Sequence, residues 1–270
     1  MTEAARPADS ETSTDTWVRA VRSSYDRFAG LLRPLTAAEV EGPSYASEWT
    51  IADVASHLGS QAEIFGLFLD AGLTGAPAPG GEAFGPIWDR WNALPPTEQV
   101  HGSVAANEEL VSRVEGLPQA QRERFALAAF GQELDLVGLL TLRLGELAVH
   151  TWDVAVALDP TATLAPDAVA LLVDGLPATV RRAGKTVDGQ APVALVTTAP
   201  GRTFVLDLGD PVSLRPAEPG TDEGSGSAQP LVLPAEALVR LVYGRLDADH
   251  TPAGVDDPRL DVLRTAFPGI

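Results

Sequence analysis

Two histidines and a glutamate carry the clearest chemical signal in this chain. Glu146 and His150 stand four residues apart in LGELAVHTWD, so on a helix both side chains leave one face about a turn apart. His57 lies in a separate helical stretch, EWTIADVASHL, on the same side as Val54, Leu58 and Gln61. Zinc sites that do chemistry typically take three protein ligands and keep a fourth position for water or substrate, and two histidines with one glutamate form a known set. The chain has only four histidines, so a chance arrangement of satisfied core histidines accounts poorly for two of them on apolar faces in this pattern. The expectation is one divalent ion, zinc first, on His57, Glu146 and His150. His101 and His250 fall in or beside expected loops without ligand spacing and read as solvated.

The elements that must position these three residues are helices. A first amphipathic helix starts at Thr16, where Trp17, Val21, Tyr25, Phe28 and Leu32 recur at three- and four-residue steps, and Pro34 marks its end. The second opens on a capping-box-like Thr50 and Asp53 and buries Ile51, Val54, Leu58, Phe65 and Leu69. Asp53 is thereby a helix N-terminal residue rather than a catalytic one. Gly72 and the Pro/Gly-rich stretch to Pro86 end that helix. Residues 73–101 then read as a long loop of the kind that often forms a lid or stays disordered. It carries Trp88 and Trp91, either at a pocket mouth or packed on the helices. A third helix spans Ser103 to Glu115, stopped by Gly116 and Pro118. A fourth runs from Asp135 to Leu158, closed by Pro160, with Leu139, Leu142, Glu146, His150, Asp153 and Ala157 on one stripe. Four such helices imply a bundle, which builds metal sites from inward-facing side chains. Trp49 and Trp152 are expected to pack it. Asp153 either orients a ligand histidine or caps and bridges neighbouring helices.

Beyond residue 160 the pattern changes. A helix near Asp167–Ala183 precedes three β-like runs, PVALVTT (192–198), RTFVLDL (202–208) and VSLRP (212–216), and residues 217–229 form a flexible polar loop. LVL then leads into PAEALVRLVYGRL, with Pro234 at a helix start and Gly244 at its end, and DPRLDVLRTAF makes a last helix. The fold class is α+β: residues 1–15 a disordered tail, 16–160 a four-helix bundle, 161–270 a small α+β domain.

Composition narrows the functions open to this chain. A net charge of −18, concentrated in the first 160 residues, argues against nucleic acid and anionic membranes as partners. No apolar run approaches a membrane span, and the polar first 15 residues read as a disordered tail rather than a signal peptide. The absence of cysteine excludes disulfides and thiolate metal ligands and fits a cytoplasmic setting. Any thiol chemistry must therefore use a thiol from outside the chain. One lysine against 18 arginines indicates a GC-rich genome, in keeping with an actinobacterium. The Gly-rich GAPAPGG and GSGS lack a strand–loop–helix setting, so no nucleotide site is read, and no G-x-S-x-G nucleophile motif occurs.

Two stretches, Trp49-Thr50-x-x-Asp53-Val54-x-x-His57-Leu58 and Gly145-Glu146-Leu147-x-x-His150-x-Trp152-Asp153, resemble the signatures of the mycothiol-dependent maleylpyruvate isomerase family. That family belongs to the DinB-like metalloenzymes, a four-helix bundle joined in this branch to a small domain resembling sterol carrier proteins. The resemblance runs from about Trp17 to Pro268 and implies that His57, Glu146 and His150 bind a divalent metal, most often zinc. It also implies mycothiol as the thiol cofactor and an electrophilic small molecule as substrate. Leu241-Val242-Tyr243-Gly244-Arg245-Leu246 is similar to the family's Gly-Arg-Leu segment, which makes Arg245 the candidate anion-binding residue; a solvated charge at a helix end is the alternative. Arg240 reads as a surface residue. In the implied isomerisation a metal-held thiolate adds to the cis double bond of maleylpyruvate, the single bond rotates, and expulsion of the thiol gives fumarylpyruvate. Two other readings stand beside it: mycothiol S-transfer to another electrophile, and a non-catalytic small-molecule-binding protein with a structural metal.

Overall fold

In the computed structural model, which describes residues 13–46, 48–217 and 229–269, the chain opens with α1 (Thr14–Leu32). All five residues of its expected stripe are buried. The helix begins at Thr14, so the end of the expected tail belongs to it, while residues 1–12 lie outside the described residues. A short α2 (Ala37–Val40) leads to α3 (Ile51–Thr74). Thr50 and Asp53 form the full capping box there. Asp53 N donates to Thr50 Oγ1 at 3.1 Å, and Thr50 N donates to Asp53 Oδ2 at 2.9 Å. The helix runs through Gly72, where a Cβ would meet the Phe125 ring at 2.2 Å, and stops at Gly75 with φ of 72°.

Residues 73–101 are not a loop. They hold the end of α3, then α4 (Gly81–Asn92) and the start of α5 (Pro96–Glu115). The prolines mislead here because Pro96 occupies the first position of α5, where no N–H is needed. Pro86 lies inside α4, which is held by burial of Ile87 and Trp91 one turn apart. Trp91 lies against Gly59, where an added Cβ would come within 2.3 Å of the ring, and its Nε1 donates to Glu63 at 2.8 Å. This tryptophan is packed rather than at a mouth, while Trp88 is exposed and touches Phe84.

After α6 (Gln119–Arg124) comes a hairpin the sequence reading did not foresee, β1 (Leu127–Ala129) and β2 (Gln132–Leu134). Its turn residues Phe130 and Gly131 both have positive φ. α7 (Leu136–Leu158) follows, and its N-cap Asp135 accepts from Gly138 N at 2.7 Å. The bundle is a ring in which α1 and α3 each pack on both α5 and α7. α7 therefore faces α5 across the interior.

α8 (Pro166–Ala183) packs on α7 and on the second half of the chain. The three expected runs form β3 (Val193–Thr198), β4 (Arg202–Asp207) and β5 (Ser213–Pro216), all antiparallel, and β6 (Leu231–Pro234) adds parallel to β3. The sheet order is β5-β4-β3-β6. α9 (Ala235–Val242) and α10 (Arg259–Ala266) complete an α+β fold. The flexible loop expected at 217–229 falls almost entirely outside the described residues. Among those described, no helix is long and apolar enough to cross a membrane.

Candidate metal centre

α3 and α7 pack side by side, and their facing stripes bring the three expected ligands together. His57 Nε2 lies 3.1 Å from Glu146 Oε2, and His150 Nε2 lies 3.7 Å from the same oxygen. One ligand atom from each residue falls within 4.8 Å of the others. Two ligands on bonds of ~2.1 Å at a tetrahedral angle stand ~3.4 Å apart, so the two glutamate–histidine spacings suit one ion. Among the described residues no other group of histidines and carboxylates clusters this way.

Charge and burial prepare the donors for a metal. Burial drives the His57 imidazole below its usual pKa despite the Glu146 carboxylate beside it, which favours the neutral ring. Burial alone would raise Glu146. The hydrogen bond from His57 and the positive field of His150 and Arg143 outweigh it and bring the carboxyl down to about 2. His150 is oriented from behind: its Nδ1 lies 2.9 Å from Asp153 Oδ2. Asp153 is fully buried and its pKa is lowered, burial being outweighed by His150 and Arg245. An ionised carboxylate only accepts, so the Nδ1 proton sits on the histidine and Nε2 is left facing Glu146. Asp153 thus fixes the His150 ring and at the same time bridges α7 to Arg245.

Arg245 is 9% exposed, which removes the solvated-charge reading. Its Nε and Nη2 donate to Asp153 at 3.3 and 3.2 Å, and Nη1 donates to the Tyr243 carbonyl at 2.7 Å. A helix end aims it. Gly244 takes φ of 72° after α9, with Gly244 N on Leu241 O at 2.9 Å and Arg245 N on Arg240 O at 2.7 Å. That pair of bonds is a Schellman motif. Only glycine fits, because a Cβ would come within 2.2 Å of the Gly269 backbone.

Three neighbours depart from expectation. Trp49 does not pack the bundle interior: 38% exposed, its ring lies 5.3 Å from His57 and stacks 6.1 Å from His150, covering the ligand pair. Arg240 is buried, paired with Glu236 and set 5.0 Å over the Trp152 ring. His250 is half-buried, its Nδ1 2.8 Å from Asp247 and its ring against Tyr45 and Trp152. Asp247 also accepts from the Tyr45 hydroxyl at 2.8 Å. The Asp247 and His250 contacts with Tyr45 depend on the 243–251 segment folding back on the loop before α3, which no local spacing encodes. Trp152 and exposed His101 stand as read. Arg143 escaped notice altogether, although a lone cation in the apolar run of α7 was a signal.

Comparison with known proteins agrees with this geometry. No curated protein matches the chain. A solved structure, the crystal structure of the mycothiol-dependent maleylpyruvate isomerase, superposes with a TM-score of 0.61 at 18% identity over 90% of this chain and 94% of that one. A histidine-to-alanine mutant of the same protein superposes equally, at 17% identity. At that identity the likeness speaks for the fold. Residues 21–155 match the pattern described as the mycothiol maleylpyruvate isomerase N-terminal domain, half of the chain and all three expected ligands included. The chain belongs to the mycothiol maleylpyruvate isomerase family.

Proposed function

We propose that this protein is a metal-dependent enzyme that activates mycothiol for addition to an electrophilic small molecule, with cis–trans isomerisation of maleylpyruvate as the best-named reaction. The observation that carries this is the convergence of His57, Glu146 and His150, three donors of the right chemistry with no fourth protein ligand grouped beside them among the described residues. A structural zinc site is closed by four protein ligands, whereas a catalytic one keeps a position open. When bound, the divalent ion supplies a Lewis-acid site that lowers a thiol's pKa and holds the thiolate at neutral pH.

The chain's own residues set up that chemistry. Burial favours the neutral form of His57, and Glu146 is held ionised, the charge states a metal asks of these two ligands. Asp153 fixes the His150 ring, and Arg245 fixes Asp153, so Arg245 acts as a positioning residue for the ligand set. Trp49 shields the histidine pair from bulk water.

The test is metal content and mycothiol titration by calorimetry on the wild type and on His57→Ala and His150→Ala, followed by product analysis with maleylpyruvate. The variants should fold, because the apolar stripes hold the bundle, yet lose metal, thiol binding and turnover together. Fumarylpyruvate as product supports the isomerase, and a stable thiol conjugate identifies S-transfer instead. Stoichiometric metal retained by either variant would refute the ligand assignment.

A further inference from the structure

α7 carries a buried charge that thiol activation does not use. Arg143 lies one turn before Glu146 and is 2% exposed. Its guanidinium crosses the bundle interior toward α5. Nη2 donates to the Leu58 carbonyl at 3.3 Å and to Asn107 Oδ1. Asn107 is itself fixed, its Nδ2 on Ser103 O at 2.9 Å and on Leu58 O at 3.2 Å, which turns its oxygen to the arginine. The guanidinium lies 5.4 Å from the centre of the Phe65 ring. Nε and Nη1 have no hydrogen-bond partner among the described residues.

Among the described residues no carboxylate pairs with this cation. The one whose field it feels is Glu146, already engaged by His57 and assigned to the metal. Burial lowers the Arg143 pKa only to about 10, so the charge persists at neutral pH. A buried, unpaired, incompletely hydrogen-bonded cation is among the most destabilising things a core can hold. A fold that keeps one at the edge of a reaction site has a use for it. Asp153 and Arg245 cancel each other. A divalent ion and Arg143 then outweigh Glu146 by two positive charges: a metal-held thiolate answers one, and the second calls for another anion.

We propose that Arg143 is a substrate-binding residue, taking a carboxylate of the electrophile in the bundle interior one turn along α7 from the metal ligands. This rests on the thiol-activating reading above and adds the residue that holds the electrophile's carboxylate near its reacting carbons. Asn107 holds the guanidinium in place, and the free Nε–H and Nη1–H groups donate to the carboxylate.

The experiment uses metal-loaded full-length protein, maleate as probe, and the variants Arg143→Met and Arg143→Lys. Maleate should raise the melting temperature of the wild type in a saturable way. Arg143→Met should keep metal and mycothiol binding, melt no lower than the wild type without ligand because the uncompensated charge is gone, and bind maleate at least about tenfold more weakly. Arg143→Lys should fall between them. Undiminished maleate protection in metal-loaded Arg143→Met overturns the proposal. If Arg143→Met fails to fold, wild-type crystals soaked in maleate decide: a carboxylate on Nε or Nη1 is expected, and water there with maleate elsewhere overturns it. Absence of metal from the wild type would instead sink the thiol-activating reading, an outcome distinct from either of these.

Discussion

At the scale of single residues, Asp153 joins the candidate site to the second half of the chain. It receives His150 on one side and Arg245 on the other while fully buried, so its charge orients a ligand and neutralises a cation at once. Asp153→Asn should weaken metal affinity by about 10- to 100-fold, as loss of an outer-shell partner does, measured by competition with a chelator. The same change leaves Arg245 buried without its anion, and thermal or denaturant melts should show a loss of ~3–5 kcal/mol. Unchanged metal affinity would reduce Asp153 to a structural bridge. The grouping of His57, Glu146 and His150 was legible in the sequence because four-residue spacing on a helix is a local property of Glu146 and His150, and His57 sits on an equally periodic stripe. Trp49, Arg240 and His250 were misread for the converse reason. Part of their surroundings comes from distant segments: Trp49 meets His150 as well as nearby His57, Arg240 lies over Trp152, and the His250 ring rests on Tyr45 and Trp152.

At the scale of elements, helix ends do the positioning. Gly244 lets α9 stop in a left-handed turn and throws Arg245 back toward Asp153. Gly244→Ala places a Cβ against the Gly269 backbone and should cost at least ~1–2 kcal/mol from the strained φ alone. It should lower metal affinity as well, because Arg245 loses its aim; a variant destabilised with metal affinity intact would separate the turn from the site. α1 is tied to α5 by Arg22, whose guanidinium bonds Glu108 and Glu115 and holds the Glu108 carboxyl at about 2. A carboxyl held below its unfolded value stabilises the fold above that value. The contribution is lost as pH falls from about 4.5 through about 2. Arg22→Ala should therefore flatten the decline of the melting temperature across that window, and an equally steep decline would show that the pair contributes nothing. The four bundle helices could be read from periodicity and capping, whereas α4 could not. Its Pro86 and its glycines look like breakers, and only the packing of Trp91 into the space over Gly59 makes the segment helical.

At the scale of the whole molecule, the second half of the chain meets the helical first half along α8, which packs on α1 and α7, and again at the candidate site through one short segment. Arg245 meets Asp153, Asp247 meets Tyr45, and the His250 ring rests on Tyr45 and Trp152. Metal binding should thus slow amide exchange across residues 243–251 as well as around the ligands, and Arg245→Ala should abolish the distant effect. Protection confined to α3 and α7 would mean the halves are not coupled in this way. The α+β class and the order of its parts were visible from the change in periodicity near residue 160. The folding-back of 243–251 was not, since it is fixed by buried polar pairs between segments far apart in sequence. The most direct test of the central claim is the metal content of the purified protein beside that of His150→Ala. One divalent ion per chain in the wild type and none in the folded variant is the predicted result. A metal-free wild type from chelator-free preparation, or equal metal in both proteins, would contradict it.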